Sequence, residues 1–523
     1  MVHDDTSAAS DIATFVVGHS SFIAERAGAS KMLRLAMKAP SEQYSTRDAR
    51  RTAGRELRTK VPRIAQGKSD PTARKFDPVA LMNATHKDRE PDLMPLKNAR
   101  MSLTPFAFYR GAAPLMAADL AVLPRTGITA QICGDAHVQN LGAFGGGPEG
   151  HMIFDINDFD ETIKAPWEWD VKRMATSLVL AGREARNSEK QCRDAVLQFA
   201  CKYRESMQFF SELSFLELAR YLVLRELKVS PIRSVLRKAE RATPQDSLKK
   251  LTERNDGKYE FKEAKDPTFG VPTQYRVPEL TAKQVLKCLD GYTHTLLPER
   301  RHFLAQYTPV DVAFRIVGTG SVGTRDYVIL MFGGALEDPL FLQIKQELPS
   351  AYAPYVPQNV PPKHHGQRVV EGVRRMLVQF DIFLGWATVN DRPYLVRQLR
   401  DHKASIETTD LEGIGLLQYA EVCGEILAKG HARSGDPCVL SGYLGRADRF
   451  DKALVNFALD YGDQATRDFE AWLKAIREGT VKALEPAAQQ GKTPTKGKNK
   501  KTREPKKKDQ RAGARKKAKK KKR

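Results

Sequence analysis

Apolar residues recur along this chain at two spacings, one typical of helices and one typical of strands. Trp167, Val171, Met174 and Leu178 follow one another at helical spacing, which predicts a helix over 167–184. Weaker helical patterns cover the ranges 46–60, 190–240, 366–383, 411–434 and 449–480. Helices are therefore expected over most of the chain.

Strand patterns are concentrated after residue 310. The stretch "VAFRIVGTGSVGTRDYVILMF" reads as a strand, a glycine turn and a second strand. In "PLFLQIKQEL" the side chains alternate, so that Leu340, Leu342 and Ile344 share one face while Lys345 lies on the other. Two more segments, "HMIFDIND" and "PYLVRQL", are apolar enough for buried strands.

These patterns divide the chain into five regions and predict an α+β fold. In chain order they are a polar, partly disordered N-terminal region (1–75), a helical lobe (76–310), a strand-rich lobe (311–400), a helical segment that completes the larger lobe (401–484) and a disordered Lys-rich tail (485–523). Inside the helical lobe, 243–280 is charged and Pro-rich, which predicts an excursion or linker.

The net charge of +22 is concentrated in the tail. From Gly491 to Arg523 there are 18 Lys and Arg against two acids, so this stretch carries +16 and leaves +6 for the rest of the chain. Cationic side chains without interleaved aromatics favour phosphate contacts over base stacking. We expect residues 485–523 to bind nucleic acid or other polyanions non-specifically, or else only to keep the protein in solution.

The rest of the composition indicates a cytoplasmic protein without a membrane segment. No apolar run reaches the roughly 18 residues that span a bilayer, and the first residues carry acids where a secretory signal carries positive charge. The six cysteines form no CxxC pair, so we expect reduced thiols and no zinc knuckle.

The most unusual stretch is "QICGDAHVQNLGAF", residues 131–144, which brings Asp135, His137 and Asn140 together. Four further aspartates follow within sixteen residues, at positions 155, 158, 160 and 170. So many acids beside apolar strands are electrostatically costly without a cation. The cluster therefore predicts a cation site, and the alternative is a solvated turn rich in carboxylates.

In this region the sequence resembles the aminoglycoside and choline kinase branch of kinase-like phosphotransferases. The spacing D-x4-N in "GDAHVQN", followed by a hairpin and by "DFDE", is similar to that branch's catalytic loop and metal segment. The resemblance implies that Asp135 is the catalytic base and that His137 orients the loop. Where the branch commonly has a histidine, this chain has Cys133.

The same resemblance implies the metal ligands and a support for the loop. Asn140 and Asp158 would hold Mg²⁺, with Asp155 or Asp160 as a helper. Asp170 in "WDVKRMA" would anchor the catalytic loop through backbone N–H groups.

The glycines of "GTGSVGTR", at positions 318, 320 and 323, resemble a loop that covers a bound nucleotide. Lys345, on the alternating strand beyond, would then pair with the α- and β-phosphates, and Glu371 on the next helix would orient Lys345. The alternatives are an ordinary hairpin turn and a solvated lysine on an edge strand.

Residues from about 76 to 450 are also similar to the bacterial family called domain of unknown function 2252. The similarity lies in "FYRGAA", "GDAHVQNLG", "FDINDFDE", "WDVKRMA", "GTGSVGTR", "FLQIKQE", "YLVRQL" and "HARSGD". Of these, "FYRGAA" places Arg110 among aromatic residues, and we interpret it as a packing element with a snorkelling arginine rather than as part of a site.

The order of the motifs predicts a protein-kinase-like two-lobed fold that is circularly permuted. The catalytic loop precedes the glycine loop by about 180 residues, whereas kinase-like chains have the reverse order. If the fold is permuted, the glycine loop and Lys345 face Asp158 and Asn140 across one cleft. The helix that ends in "HARSGD" then brings His431, Arg433 and Asp436 near Asp135.

These observations predict an ATP- and Mg²⁺-dependent phosphotransferase. Little room for an activation segment lies between Asp158 and Pro166, which favours a small-molecule acceptor over a protein. The alternative is a catalytically inactive kinase-like protein that binds nucleotide and associates with nucleic acid through its basic tail. A third possibility, metal-dependent hydrolysis, is disfavoured because His137 and His151 lack zinc-ligand spacing.

Overall fold

The computed structural model describes residues 45–70, 73–145, 152–223, 229–357, 361–399 and 404–487. Most of the N-terminal region and nearly all of the Lys-rich tail lie outside these residues, and with them the prediction that both are disordered. The described part is a mixed α+β structure, as the sequence patterns predict.

Helices make up most of the described structure. They are α1 (Arg47–Lys60), α2 (Pro78–Ala84), α3 (Met94–Met101), α4 (Pro105–Gly111), α5 (Ala113–Ala121), α6 (Trp167–Glu184), α7 (Glu189–Glu212), α8 (Phe215–Arg220), α9 (Ser230–Glu240), α10 (Pro244–Leu251), α11 (Glu279–Thr293), α12 (Pro298–Leu304), α13 (His365–Met376), α14 (Ile414–Ser434), α15 (Pro437–Leu444) and α16 (Arg449–Arg477).

The strands form one large sheet and several small ones. They are β1 (Thr129–Ile132), β2 (Leu141–Phe144), β3 (Ile153–Ile156), β4 (Ile163–Pro166), β5 (Thr252–Asn255), β6 (Lys258–Phe261), β7 (Ala264–Lys265), β8 (Pro272–Arg276), β9 (Thr308–Arg315), β10 (Asp326–Phe332), β11 (Pro339–Gln346), β12 (Gly385–Val389), β13 (Arg392–Gln398) and β14 (Ala404–Ser405).

The large sheet is antiparallel and has the strand order β12-β13-β11-β10-β9-β8-β7. Strand β11 lies near its middle, so Lys345 is not on an edge. The predicted alternation is confirmed, because Leu340, Leu342 and Ile344 join one apolar cluster while Phe341 joins the cluster on the opposite face. The glycine turn connects the neighbouring strands β9 and β10.

The prediction of a linker over 243–280 is wrong. Helix α10 and strand β6 in this segment bury Leu248, Leu251 and Phe261 against β9, β10 and β11. Strands β7 and β8 extend the sheet, and Gln274 pairs with Arg315. The segment is therefore part of the sheet structure, which begins before residue 311.

The long helices surround a second and larger core. The predicted helix over 167–184 is confirmed as α6, which contacts α7 and α16, and α7 lies along α14. The helix predicted over 366–383 is shorter, since α13 ends at Met376 and an unpredicted strand, β12, follows it. Among the described residues, no helix is long and apolar enough to cross a membrane.

Candidate functional site

The loop that follows β1 is anchored by the side chain of Asp170 on α6. The Asp170 carboxylate accepts the backbone N–H groups of Cys133 at 2.7 Å and Gly134 at 2.9 Å. Gly134 has φ of 85°, and a Cβ there would lie 2.3 Å from the Glu161 carbonyl oxygen. Only glycine fits this turn, and the interaction predicted for Asp170 is the one observed.

His431, at the end of α14, supports Asp170 in turn. Its Nε2 lies 3.3 Å from an Asp170 carboxylate oxygen, and its Nδ1 lies 2.8 Å from the Tyr203 hydroxyl. The other two residues predicted to lie near Asp135 bind elsewhere. Arg433 donates to the carbonyl oxygens of residues 218, 219 and 377, and Asp436 caps α15 and pairs with Arg50.

Asp135 is held by an arginine that sequence reasoning missed. The Arg173 Nε donates to Asp135 Oδ1 at 2.6 Å, and the guanidinium is fully buried over the Tyr109 ring. Arg173 follows Asp170 by three residues on α6, so both point from one helix face toward the loop. The three-residue spacing of Asp170 and Arg173 in "WDVKRMA" is the sequence signal from which the role of Arg173 could have been predicted.

His137 and Asn140 complete the loop. His137 Nδ1 accepts the backbone N–H of Gln139 at 3.2 Å, while its Nε2 lies 3.7 Å from Asp135 Oδ2. Burial lowers the pKa of His137 to about 3, so its imidazole is neutral at pH 7. The Asn140 side-chain nitrogen donates to the Asp135 carbonyl at 2.6 Å, which leaves its amide oxygen available to a ligand.

Lys345 reaches the acids after β3 from the large sheet. Its Nζ forms an ion pair with Asp160 Oδ2 and lies 3.9 Å from Asp158 Oδ1. Burial opposes ionisation of both acids, but Lys345 and Arg397 hold the pKa of Asp158 below its ordinary value. Burial and the charge of Asp158 raise the pKa of Asp160 to about 7.

Two predicted site residues point away from this cluster. Asp155 lies within β3 and forms an ion pair with Lys429 of α14, both side chains being almost fully buried. Glu371 hydrogen-bonds Gln367 and Arg375 on its own helix instead of contacting Lys345. Alternation along β3 turns Asp155 toward the helical core, and the rotation of α13 turns Glu371 outward.

The glycine segment, residues 318–323, lies beside the loop and the acids. Gly318 and Gly323 have φ of 69° and 91°, the left-handed conformation that glycine adopts most readily. Its carbonyl oxygens are bound by three cations of the N-terminal helical region. Lys97 binds residues 319 and 320, Arg89 binds 322 and Arg100 binds 318.

The loop, the acids and the glycine segment line one cavity of about 110 Å³. Four buried polar atoms of its walls have no hydrogen-bond partner among the described residues: Asp160 Oδ1, Glu347 Oε1, Arg89 Nε and Arg110 Nε. Burial, followed by the charge of Asp160, raises the pKa of Glu347 well above its ordinary value. The walls thus offer unpaired acceptors and unpaired donors side by side.

No group of three His, Cys, Asp or Glu side chains in the described ranges is arranged to hold a metal ion. Mg²⁺ ordinarily takes one or two protein carboxylates and completes its shell with water and phosphate oxygens. The oxygens of Asp158 and Asn140 and the unpaired Asp160 Oδ1 therefore fit Mg²⁺ held together with a phosphate, but not a site made of protein ligands alone.

Comparison with known proteins identifies the family and nothing beyond it. Neither the curated proteins nor the solved structures gave a significant match. The family model described as an uncharacterized protein conserved in bacteria matches residues 89–475, which include the loop, the acids, the glycine segment and Lys345. The chain belongs to this family, DUF2252.

Proposed function

We propose that the protein is an ATP- and Mg²⁺-dependent phosphotransferase that acts on a small-molecule acceptor. The observation that carries the proposal is the contact of Lys345 with Asp158 and Asp160. It joins β11, the second strand after the glycine turn, to the acids that follow β3, although 185 residues separate Lys345 from Asp160. Kinases place a glycine loop, a strand lysine and metal-binding Asn and Asp around the nucleotide phosphates in the same way.

Each loop residue has a role suited to phosphoryl transfer. Asp135 would accept the proton of the acceptor hydroxyl through Oδ2, because Arg173 occupies Oδ1. The neutral His137 would orient that oxygen. Asn140 and Asp158 would hold Mg²⁺, which neutralises phosphate charge when it is bound.

The cavity suits the phosphate end of a nucleotide. Its volume of about 110 Å³ is below the roughly 300–1,000 Å³ of most ligand sites. We infer that the phosphates enter it while the base lies outside. Lys345 and the glycine segment would contact those phosphates.

The order of the elements supports a permuted, kinase-like two-lobed fold. From β9 onward the chain supplies the glycine turn, the lysine strand, helix α13 and β13, and then α14. His431 at the end of α14 connects to the catalytic loop through Asp170. Reading the chain from β9 thus gives the kinase sequence of parts.

Metal-dependent consumption of ATP by the purified protein tests the proposal. Asp135→Asn and Asp158→Asn should each lower the rate by at least about 100-fold, since general-base and electrostatic contributions have that size. Asp460→Asn, an exposed carboxylate on α16, is the matched control and should keep the full rate. Equal rates in all three variants would show that the loop is not the catalytic site.

Two observations favour the second candidate, a kinase-like protein that binds nucleotide without turnover. Lys345 is already neutralised by two acids, and the glycine segment is bound through its carbonyl oxygens. Such a protein would bind an ATP analogue saturably and consume no ATP with any metal. In that case its association with nucleic acid would depend on the basic tail.

A further inference from the structure

Arg110 is a cation of the cavity wall that has no partner. It lies near the end of α4, and its guanidinium makes no hydrogen bond or ion pair with any of the described residues. Its Nε is buried. The sequence-based interpretation of Arg110 as a packing residue therefore misses its position, because the side chain lines the cavity beside Asp135 and His137.

The neighbouring charges are already paired with other groups. Asp135 is bound by Arg173, and Asp158 faces Lys345. Lys97 donates to carbonyl oxygens of the glycine segment. Arg110 thus forms no ion pair of its own, and burial lowers its pKa although the charges of Asp135, Glu184 and Asp158 oppose that change.

Two cations from different parts of the chain lie near the acids of the site. Lys345 approaches from the large sheet and Arg110 from the N-terminal helices. A phosphotransferase binds two molecules at such a place, the nucleotide and the acceptor. The Arg110 backbone lies against Gly320 of the glycine segment, but the acid whose charge acts most strongly on its guanidinium is Asp135, the proposed base.

We propose that Arg110 binds an anionic group, a phosphate or a carboxylate, on the acceptor molecule. This inference rests on the proposed function and names the substrate class as a small hydroxyl compound that carries such a group. An arginine is suited to it, because its planar donors match phosphate and carboxylate oxygens in pairs. The anion at Arg110 would place the acceptor hydroxyl at Asp135.

Inorganic phosphate is the probe, measured by calorimetric titration of the full-length protein. Arg110→Met should weaken phosphate binding by at least about tenfold, and Arg110→Lys by less, since losing a charge-assisted hydrogen bond costs roughly 1.5–3 kcal/mol. Arg237→Met removes an exposed arginine of α9 and should leave binding unchanged. Thermal melts show whether each variant folds. If Arg110→Met does not fold, Arg110→Lys, which keeps the positive charge, is the variant to compare with the wild type.

A second titration separates the acceptor from the nucleotide as the source of the anion. Phosphate should still bind when the protein is saturated with Mg²⁺ and a non-hydrolysable ATP analogue, and Arg110→Met should weaken the analogue much less than phosphate. If the analogue displaces phosphate and Arg110→Met weakens both equally, Arg110 binds the terminal phosphate of the nucleotide and the inference is wrong.

Two further outcomes distinguish this inference from the proposed function. Phosphate binding that is absent, or indifferent to Arg110→Met, overturns the inference even if the protein consumes ATP. Phosphate binding that depends on Arg110 in a protein that binds no nucleotide supports an anion site at Arg110 and overturns the phosphotransferase.

Discussion

The aspartates in and around this cavity differ in the cations with which they pair. Asp155 is neutralised by Lys429, Asp135 by Arg173, and Asp158 and Asp160 share Lys345. All four acids are aspartates, and they lie close together in the sequence. Their ion-pair partners therefore come from parts of the chain that the local sequence does not reveal.

Asp160 gives the clearest pH dependence. Burial and Asp158 raise its pKa to about 7, so the folded protein binds this proton more tightly than the unfolded chain does. The resulting stabilisation is complete below about pH 4 and is lost as the pH rises to about 7. In EDTA, the free energy of unfolding of the wild type should fall over this range by up to about 4 kcal/mol more than that of Asp160→Asn.

Urea denaturation at several pH values measures this difference. Millimolar Mg²⁺ at pH 8 should restore part of the lost stability, because a ligand bound only by the folded state stabilises it. Parallel pH profiles for the two proteins would show that Asp160 is ionised throughout.

The Arg173–Asp135 pair should be costly to break from one side. Arg173→Met leaves a carboxylate without its partner and should destabilise the fold by about 3–5 kcal/mol. Asp135→Asn and the double variant complete a thermodynamic cycle, measured by urea denaturation. We expect the double variant to lose clearly less than the sum of the two single variants. If the losses of stability in the two single variants add up to the loss in the double variant, Arg173 and Asp135 have no interaction free energy.

At the scale of elements, the glycine segment is held in place by the N-terminal helices. A Cβ at position 323 would lie 2.2 Å from Met94 Cε, and φ there is 91°. Gly323→Ala should therefore destabilise the protein by about 1–3 kcal/mol. Gly334→Ala is the matched control, because its Cβ would meet nothing within 4 Å. Equal denaturation midpoints for both variants would contradict this account.

Long periodic patterns made the elements predictable from the sequence. Helix α6 and the two faces of β11 are where the spacing of apolar residues puts them. The segment 243–280 was missed because its hairpin β5–β6 is mostly exposed and its few apolar side chains contact strands far along the chain.

The site was predictable only in part, and for a related reason. The resemblance to kinase-like enzymes predicted that Asp135, Asn140 and Asp158 lie with the glycine segment, and these residues line one cavity. The sequence could not show that Asp155 and Glu371 point elsewhere, because the orientation of a helix or strand depends on packing partners distant in sequence. Arg110 and Glu347 lie within the segments "FYRGAA" and "FLQIKQE", but neither these residues nor Lys97 has a spacing that marks it as a cavity residue.

For the whole molecule, the prediction concerns the basic tail. Leu484 and Ala487 still make backbone hydrogen bonds to residues 95 and 268, so a clean deletion begins at residue 488. Removing 488–523 should abolish binding to DNA and RNA, which in the full chain should fall steeply with salt. Fluorescence anisotropy with labelled oligonucleotides at several salt concentrations measures both effects.

The truncated protein should also keep its melting temperature and any ATP turnover. If the truncated protein still binds DNA or RNA, the basic binding site lies within residues 1–487. The surface pocket lined by Arg125, Lys164, Lys363 and Arg375 would then be the region to mutate.

The pairing of Asp160 with Lys345 across 185 residues also sets an order in time. The ribosome adds about 5–20 residues per second, so the acids emerge roughly 10–40 s before the lysine that neutralises them. During that interval the nascent chain carries Asp158 and Asp160 without Lys345. The cavity therefore cannot be completed before β11 has been synthesised, and a chain released before β11 contains the loop of residues 131–144 but cannot assemble the cavity.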